Sequence, residues 1–186
     1  MSVPTSCESF SCCCVFSLLR ALLLLIRTNL CDGRLRVEDY PELPSRVAAV
    51  LQSRHCTIPQ PNKEGPPRNV IRGEFFGNGA KGWAALCSSG GKSSILVFRN
   101  GYDNSPDEIA TSPDNRFLID IGQGSALYSR EISAVDRKFI LRHYHAYRGP
   151  KPPPIDHNGI NDAFLEKASI TWYRYNGQWM QLQGAD

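Results

Sequence analysis

Short runs of β-branched and aromatic residues, separated by turns rich in glycine, asparagine and serine, dominate the chain after residue 69. The first three runs, at 70–76, 83–87 and 94–99, have the pattern of consecutive antiparallel strands. The stretch 102–116 that follows is polar and contains two prolines. We predict that it forms a long surface loop.

Further strands are predicted towards the C-terminus, at 117–121, 125–132, 138–147, 169–175 and 178–183. The segment 138–147 also has some helical spacing of its apolar residues, so strand and helix both stay open there. Asn176 and Gly177 lie between two alternating apolar runs. An Asn-Gly pair in that position is the strongest short-range hairpin signal.

One amphipathic helix is predicted before the strands. Pro44 or Ser45 can begin it, and Val47, Val50 and Leu51 then share one face. Four prolines and a glycine in 57–68 prevent its continuation. The pattern therefore predicts an α+β fold that is mostly antiparallel β, with one short N-terminal amphipathic helix packed on a strand-rich domain.

The first thirty residues differ from the rest, because 15–26 is an apolar run of about a dozen residues. This length suits a signal peptide and falls short of the ~20 residues that span a bilayer. A misplaced start codon and a membrane-associated helix are the alternatives. We predict a leader at 1–31 (signal peptide or N-terminal anchor), a linker with the short helix and a Pro-rich loop at 32–68, and a β-rich globular domain at 69–186.

Cysteine positions divide the chain in the same way. Of the seven cysteines, five lie in or beside the leader, and only Cys56 and Cys87 fall in the predicted folded part. Two cysteines suffice for one disulfide, as is usual in an oxidising compartment. Two separate buried thiols are the alternative. The protein is predicted to be secreted or periplasmic, with membrane contact only through an uncleaved leader.

The segment 156–166 contains the strongest candidate for an ion site. Asp156, Asn158 and Asp162 present side-chain oxygens around a glycine, and Glu166 adds another carboxylate. Calcium needs several oxygen ligands and a backbone that can wrap around the ion. We therefore predict calcium as the candidate ion and, as its ligands, Asp156, Asn158, Ile160, Asp162 and Glu166.

The same loop resembles the short calcium loops of FG-GAP and VCBS-type β repeats, whose pattern is roughly Asp-x-Asn-Gly-Asp-Gly-x-x-Asp. Ile160 and Asn161 stand where that pattern has its middle acid and glycine. The stretches 78–101 and 158–177 also form a weak internal repeat, in which an Asn-Gly loop leads through two strands to an Asn-Gly turn.

The stretches 73–101 and 155–179 are similar to an uncharacterised family of small secreted bacterial proteins. The resemblance includes a Cys-Thr-Ile-Pro-Gln segment at 56–60 and a C-terminal Gly-Ala-Asp at 184–186. It implies export and a common fold and carries no known activity.

The distribution of charged and aromatic residues indicates which classes of binding partner suit the protein. Lys and Arg exceed Asp and Glu by 21 to 18, without clustering, so no nucleic-acid partner is indicated. Trp172 is predicted to lie on the strand face opposite Tyr173 and Tyr175, which exposes one set of rings unless another element covers it. An exposed set would suit a protein or carbohydrate partner, whereas core and cross-strand packing is the preferred interpretation of these rings.

We therefore predict an exported protein that acts as a non-catalytic extracytoplasmic binding or interaction module. The alternative is a hydrolase that uses Asp156, His157 and Asp162 as a metal-assisted or acid-base site, with His143 or His145 nearby. His143 and His145 would share one face of a strand and thus form a possible metal pair, with surface histidines as the simpler explanation.

Overall fold

The computed structural model describes residues 33–61, 65–77, 79–122 and 125–184. The predicted leader, its neighbouring cysteines and the last two residues of the chain lie outside these ranges. No helix in the described ranges is long and apolar enough to cross a membrane.

Two antiparallel four-stranded sheets form the body of the protein. The first has the order β3-β4-β5-β6 and consists of β3 (Val70–Gly73), β4 (Gly82–Ser89), β5 (Lys92–Phe98) and β6 (Asp107–Pro113). The second has the order β12-β11-β10-β9 and consists of β9 (Arg130–Val135), β10 (Gly159–Phe164), β11 (Ala168–Tyr175) and β12 (Gln178–Gln183).

Shorter elements complete the described chain. Two pairs of strands lie outside the large sheets: β1 (Arg34–Leu35) with β2 (Ile58–Pro59), and β7 (Leu118–Gly122) with β8 (Ser125–Tyr128). The helices are α1 (Ser45–Ser53) and α2 (Arg137–Tyr147), with 3₁₀ turns at Val37–Asp39 and Asp114–Phe117.

Three apolar clusters arrange these elements in four layers. Val47 and Leu51 of α1 pack against the outer face of the first sheet. Alternate residues of β4 and β5 instead face the second sheet, where Ile132 and Ile160 meet them. On the far side of the second sheet, Ile140 of α2 packs against its strands. The two-residue period of each strand thus gives both sheets two buried faces.

The prediction of a mostly antiparallel β fold is confirmed, and one detail of it is wrong. Of the two alternatives left open for residues 138–147, the helix is the one that forms: they lie in α2, which the Asp136 side chain caps by accepting a hydrogen bond from the Phe139 amide at 2.8 Å. Part of the predicted loop 102–116 forms β6, an edge strand that buries Ile109. An edge position tolerates its polar residues and Pro113.

The predicted disulfide between Cys56 and Cys87 is present, with the two Cα atoms 5.0 Å apart. It joins the segment after α1 to β4. Backbone hydrogen bonds between Thr57 and Ser88, at 2.9 and 2.8 Å, continue the same connection. The disulfide therefore attaches the layer that contains α1, here called the N-terminal layer, to the first sheet.

The two stretches of the internal repeat occupy equivalent places. The first contains β4 and β5, and the second contains β10 and β11. Each pair forms the two central strands of a four-stranded antiparallel sheet. The repeated pattern thus corresponds to a repeated supersecondary unit.

Tyr128 gives a testable consequence of the packing between the sheets. Burial raises the pKa of Tyr128 to about 12, although its hydrogen bond with Ser93 opposes the rise. The Tyr128 phenol ionises near pH 10 in the unfolded chain and near pH 12 in the folded protein. The contribution of the neutral, buried phenol to the free energy of unfolding is therefore complete below pH 10 and is lost as the pH rises to 12.

We expect the free energy of unfolding to fall over that pH window by an amount on the order of 2 kcal/mol from Tyr128 alone. Chemical denaturation of the wild type and of Tyr128→Phe at several pH values measures it. Burial also raises the pKa of Tyr40 and Tyr173, so the difference between the two proteins is the relevant quantity. Parallel pH profiles would contradict the prediction.

Candidate functional site

A buried arginine lies at the centre of the polar interior. The Arg130 side chain is 1% exposed and forms a two-pronged ion pair with Asp162, since Nε and Nη2 each donate to one carboxylate oxygen at 2.8 Å. Arg130 is in β9 and Asp162 in the neighbouring β10. The pair therefore lies on the face of the second sheet that packs against the first.

The remaining donors of Arg130 reach the first sheet. Nη1 donates to the carbonyl and hydroxyl oxygens of Ser93 in β5, at 3.3 and 3.0 Å, and Nη2 donates to the Ala110 carbonyl of β6 at 2.8 Å. With the two bonds to Asp162, the five N–H groups of the guanidinium match five hydrogen bonds. Arg130 thus connects the two sheets.

The ion pair with Arg130 gives Asp162 a structural role. The sequence pattern predicted it as a calcium ligand or as part of a hydrolytic site, but both carboxylate oxygens accept hydrogen bonds from Arg130. The Trp172 indole also donates to it, at 3.4 Å. In this structure Asp162 therefore compensates a buried charge.

Asp156 and Asn158 lie at a different place, beside a cleft of about 430 Å³ that Glu74, Asp136 and His157 also line. The Asn158 amide oxygen accepts a hydrogen bond from the Glu74 amide at 2.9 Å, so Asn158 fixes the loop after β3. The Asp156 side chain is 79% exposed at the rim.

His157 is a structural residue of this cleft. Its side chain is 5% exposed and stacks on Tyr173 with 4.3 Å between the ring centroids. Both ring nitrogens lie within hydrogen-bond distance of backbone carbonyls, Nδ1 at 3.0 Å from Asn158 and Nε2 at 2.9 Å from Arg174. The Tyr173 hydroxyl donates to Asp156 at 2.9 Å, and burial raises the pKa of Tyr173.

Ile160 and Glu166 occupy two further environments. The Ile160 side chain is fully buried between the sheets, and its strand pairs with β9 and β11. Glu166 lies in the turn between β10 and β11, beside a second cavity of about 410 Å³. The five predicted calcium ligands therefore do not converge in this structure. Ile160 and Asp162 lie on the inner face of the second sheet, Asp156 and Asn158 lie beside the first cleft, and Glu166 lies in the turn after β10.

Potential metal ligands are dispersed over the described part of the chain. Within residues 33–61, 65–77, 79–122 and 125–184, no three His, Cys, Asp or Glu side chains gather as a metal site. Calcium binding at 156–166 stays a prediction from the sequence.

The two histidines of α2 do not share a face as a strand would require. His143 lines the second cavity, and its Nδ1 lies 2.9 Å from the Phe139 carbonyl one turn earlier. His145 is exposed and contacts Tyr144. The possible metal pair would need both rings on one face of a strand, and residues two apart diverge on a helix.

Most aromatic residues of the hairpin formed by β11 and β12 serve in packing. Trp172 and Trp179 pack in the cluster between the sheets, whereas Tyr173 is buried on the opposite face beneath α2. The predicted alternation of Trp172 and Tyr173 is therefore confirmed. Tyr175, on the same strand face as Tyr173, is 38% exposed.

Two residues that the sequence did not indicate, Asn161 and Thr171, lie opposite each other on β10 and β11. The Asn161 Oδ1 and Thr171 Oγ1 atoms are buried, and neither has a hydrogen-bond partner among the described residues. Asn161 lines the second cavity. The only signal in the sequence was their polarity at positions that alternate with Ile160 and Trp172 of the core.

Comparison with known proteins does not assign a family. No family model, no curated protein and no solved structure matches this chain. By its fold, the described part of the chain is a four-layer, mostly antiparallel β domain with one disulfide.

The ion pair predicts a large effect of a small substitution. Asp162→Asn leaves the buried Arg130 charge without its counter-ion, so we expect the free energy of unfolding to fall by on the order of 3 kcal/mol. Glu131→Gln is the matched control, because Glu131 pairs with Arg68 at the surface and should contribute less than about 1 kcal/mol. Equal losses in denaturant unfolding would contradict the assigned role of Asp162.

Calcium binding can be tested directly on the loop. If 156–166 binds calcium, millimolar calcium raises the melting temperature of the wild type and leaves that of Asp156→Ala unchanged, because a ligand that binds only the folded state stabilises it. Thermal melts with calcium and with a chelator measure both. Identical shifts in the two proteins would remove the ion site.

Proposed function

We propose that this protein acts outside the reducing cytoplasm, secreted or periplasmic, as a non-catalytic binding domain. The observation that carries the proposal is the disulfide between Cys56 and Cys87, which joins the N-terminal layer to the first sheet. Structural disulfides persist in oxidising compartments and are rare in the cytosol. The apolar run at 15–26 and the similarity to small secreted bacterial proteins support the same compartment.

The buried charged side chains already pair with other groups of the protein, which supports a binding function over a catalytic one. Asp162 balances Arg130, and Asp114 accepts hydrogen bonds from Ser88 at 2.6 Å and from Arg34 at 3.3 Å. Side chains held in this way stabilise the fold. A general acid or base instead needs hydrogen-bond contact with a reacting group.

The two cavities beside α2 support a ligand-binding surface. The cleft lined by Asp136 and Arg137 lies at the first turn of the helix, and the cavity lined by Phe139 and His143 lies along its next turns. Both have volumes typical of small-molecule sites, about 300–1,000 Å³. We propose that this side of the second sheet carries the binding function.

A hydrolase is the second candidate, favoured by one observation. Asp156 and His157 line the same cleft as Glu74 and Asp136, which brings three carboxyl groups and an imidazole to one cavity. The other proposed members of that site lie elsewhere, and His157 has backbone carbonyls next to both ring nitrogens. This arrangement gives the hydrolase less support than the binding domain.

Export and the disulfide can be tested together. The chain with its leader is expressed in a bacterium, the cells are fractionated, and the intact mass is measured before and after reduction. We expect an extracytoplasmic product that gains about 2 Da on reduction, as one disulfide requires. Loss of the first thirty or so residues would further assign the leader as a cleaved signal peptide.

Cys56→Ser/Cys87→Ser is the matched variant for this experiment. It should be exported but show no mass change, and its free energy of unfolding should be lower by about 3 kcal/mol because its unfolded chain is less constrained. A cytosolic wild-type product with its leader intact and both thiols free would contradict the proposal.

A further inference from the structure

A third cavity, of about 350 Å³, lies on the outer face of the first sheet, beside the disulfide. Its lining includes Cys87 of β4, Ser94 and Leu96 of β5, and Thr111 of β6. Helix α1 packs on the cluster that contains Cys87 and Leu96 and ends one residue before Arg54, which also lines the cavity. The cavity therefore lies where α1 stops covering the sheet, on the far side of the two sheets from α2.

A buried serine opens its hydroxyl into this cavity. Arg130 donates to the Ser93 hydroxyl between the sheets, so Ser94, the next residue of β5, points to the outer face. Ser94 is 7% exposed, and no described residue hydrogen-bonds its hydroxyl. This hydroxyl is not sealed in the interior, as the oxygens of Asn161 and Thr171 are. It is therefore a hydrogen-bond donor that a ligand in the cavity can reach.

A bulge in β6 presents a second hydroxyl to the same cavity. The pairing of β5 with β6 shifts by one residue opposite Ser94, so that Ala110 and Thr111 both oppose it. Ala110 has a φ of 57°, in the left-handed region that residues with a side chain seldom adopt. It packs in the cluster between the sheets, whereas Thr111 lines the outer cavity. The bulge therefore turns Thr111 towards the cavity, and bulges often re-aim side chains in this way beside functional sites.

The charges at the cavity favour an anion. Arg54 and Glu108 form an ion pair there, with Nη1 2.9 Å from Oε2. Lys92, an exposed lining residue at the start of β5, has no ion-pair partner within the described ranges. Among the described residues that line the cavity, the ammonium of Lys92 is thus a positive charge that no carboxylate balances. It stands beside hydroxyl groups that can donate hydrogen bonds.

This set of donors suits a tetrahedral anion better than a carboxylate. An ammonium and separate hydroxyls donate single bonds from different directions, which matches the four oxygens of phosphate or sulfate. A carboxylate is bound best by two parallel bonds from a guanidinium, and Arg54 already directs its guanidinium at Glu108. The volume is within the range of small-molecule sites, so the organic part of an ester has room against Leu96 and Cys87.

We propose that this cavity binds the phosphate or sulfate group of a small anionic ligand, with Lys92 supplying the charge and Ser94 and Thr111 donating hydrogen bonds. The site goes beyond the proposed binding surface beside α2, because it lies on the other sheet. It gives a use to a buried hydroxyl that the fold leaves without a partner.

Heteronuclear NMR on the isotope-labelled full chain, in a buffer free of both anions, measures binding residue by residue. Inorganic phosphate, inorganic sulfate and glycerol phosphate are titrated separately, with acetate at equal ionic strength as the planar anion. We expect at least one of the first three to bind saturably and to shift the amide signals of β5 and β6 at the cavity. Tighter binding of glycerol phosphate than of inorganic phosphate would assign an ester as the ligand. Equal or weaker binding would assign the free anion.

Two substitutions test the donors. Lys92→Gln and Ser94→Ala should each weaken binding by about tenfold, because each removes a hydrogen bond to a charged group. Lys138→Gln is the matched control for charge, since Lys138 is an exposed lysine of α2 and its substitution lowers the net charge equally. It should leave binding unchanged.

Stability separates binding from a structural role of Ser94. Because the Ser94 hydroxyl has no partner in the fold, Ser94→Ala should keep the melting temperature of the wild type while binding falls. Ser129→Ala is the matched control, since the hydroxyl of this buried serine donates to the Phe117 carbonyl at 2.7 Å. Its melting temperature should fall while binding is unchanged.

Three results would overturn the inference: no saturable binding of phosphate, sulfate or glycerol phosphate; acetate that binds as tightly as they do; or binding that Lys92→Gln and Ser94→Ala weaken no more than Lys138→Gln does. Each of these leaves the proposed export open, because fractionation and intact mass test it independently. A cytosolic, reduced product would in turn contradict the export proposal whatever the anions do.

Discussion

The arrangement of the two sheets depends on the burial of one guanidinium group. Removing Arg130 from water is costly unless its charge is balanced and its donors are satisfied. Asp162 supplies the charge, and the remaining acceptors come from Ser93 and Ala110 of the other sheet. Any sliding of one sheet over the other would break several of these bonds at once. The ion pair therefore fixes the relative position of the sheets, which apolar contacts alone specify less strictly.

The cavities follow from the layers that this arrangement sets. With the inner face of the second sheet committed to the first sheet, its outer face is left to α2, which covers only part of it. Ile140 and Tyr173 close the middle of that face, and the space at the two ends remains as the cleft beside Asp156 and the cavity above Asn161. The proposed binding surface is thus a product of a helix shorter than the sheet that it covers.

Much of the fold could be predicted from local patterns, whereas most of the site could not. Turn residues located most strands, and the two cysteines remaining outside the leader indicated the disulfide. Helix α2 needed recognition of Asp136 as its cap, a signal present in the sequence. The pairing of Asp162 with Arg130 depends on the register of β9 and β10 and on contact between distant strands, which local patterns do not encode. Hence the acidic residues at 156–166 resembled one loop but lie in separate environments.

NMR can observe the buried Arg130 guanidinium directly. Exchange of its Nε proton with solvent reports whether the group is buried and hydrogen-bonded to Asp162. We expect this exchange to be slower by orders of magnitude than at Arg36, whose side chain is 76% exposed, and its protection to reach the level of global unfolding. Exchange at Arg130 as fast as at Arg36 would show an exposed side chain and rule out the buried ion pair.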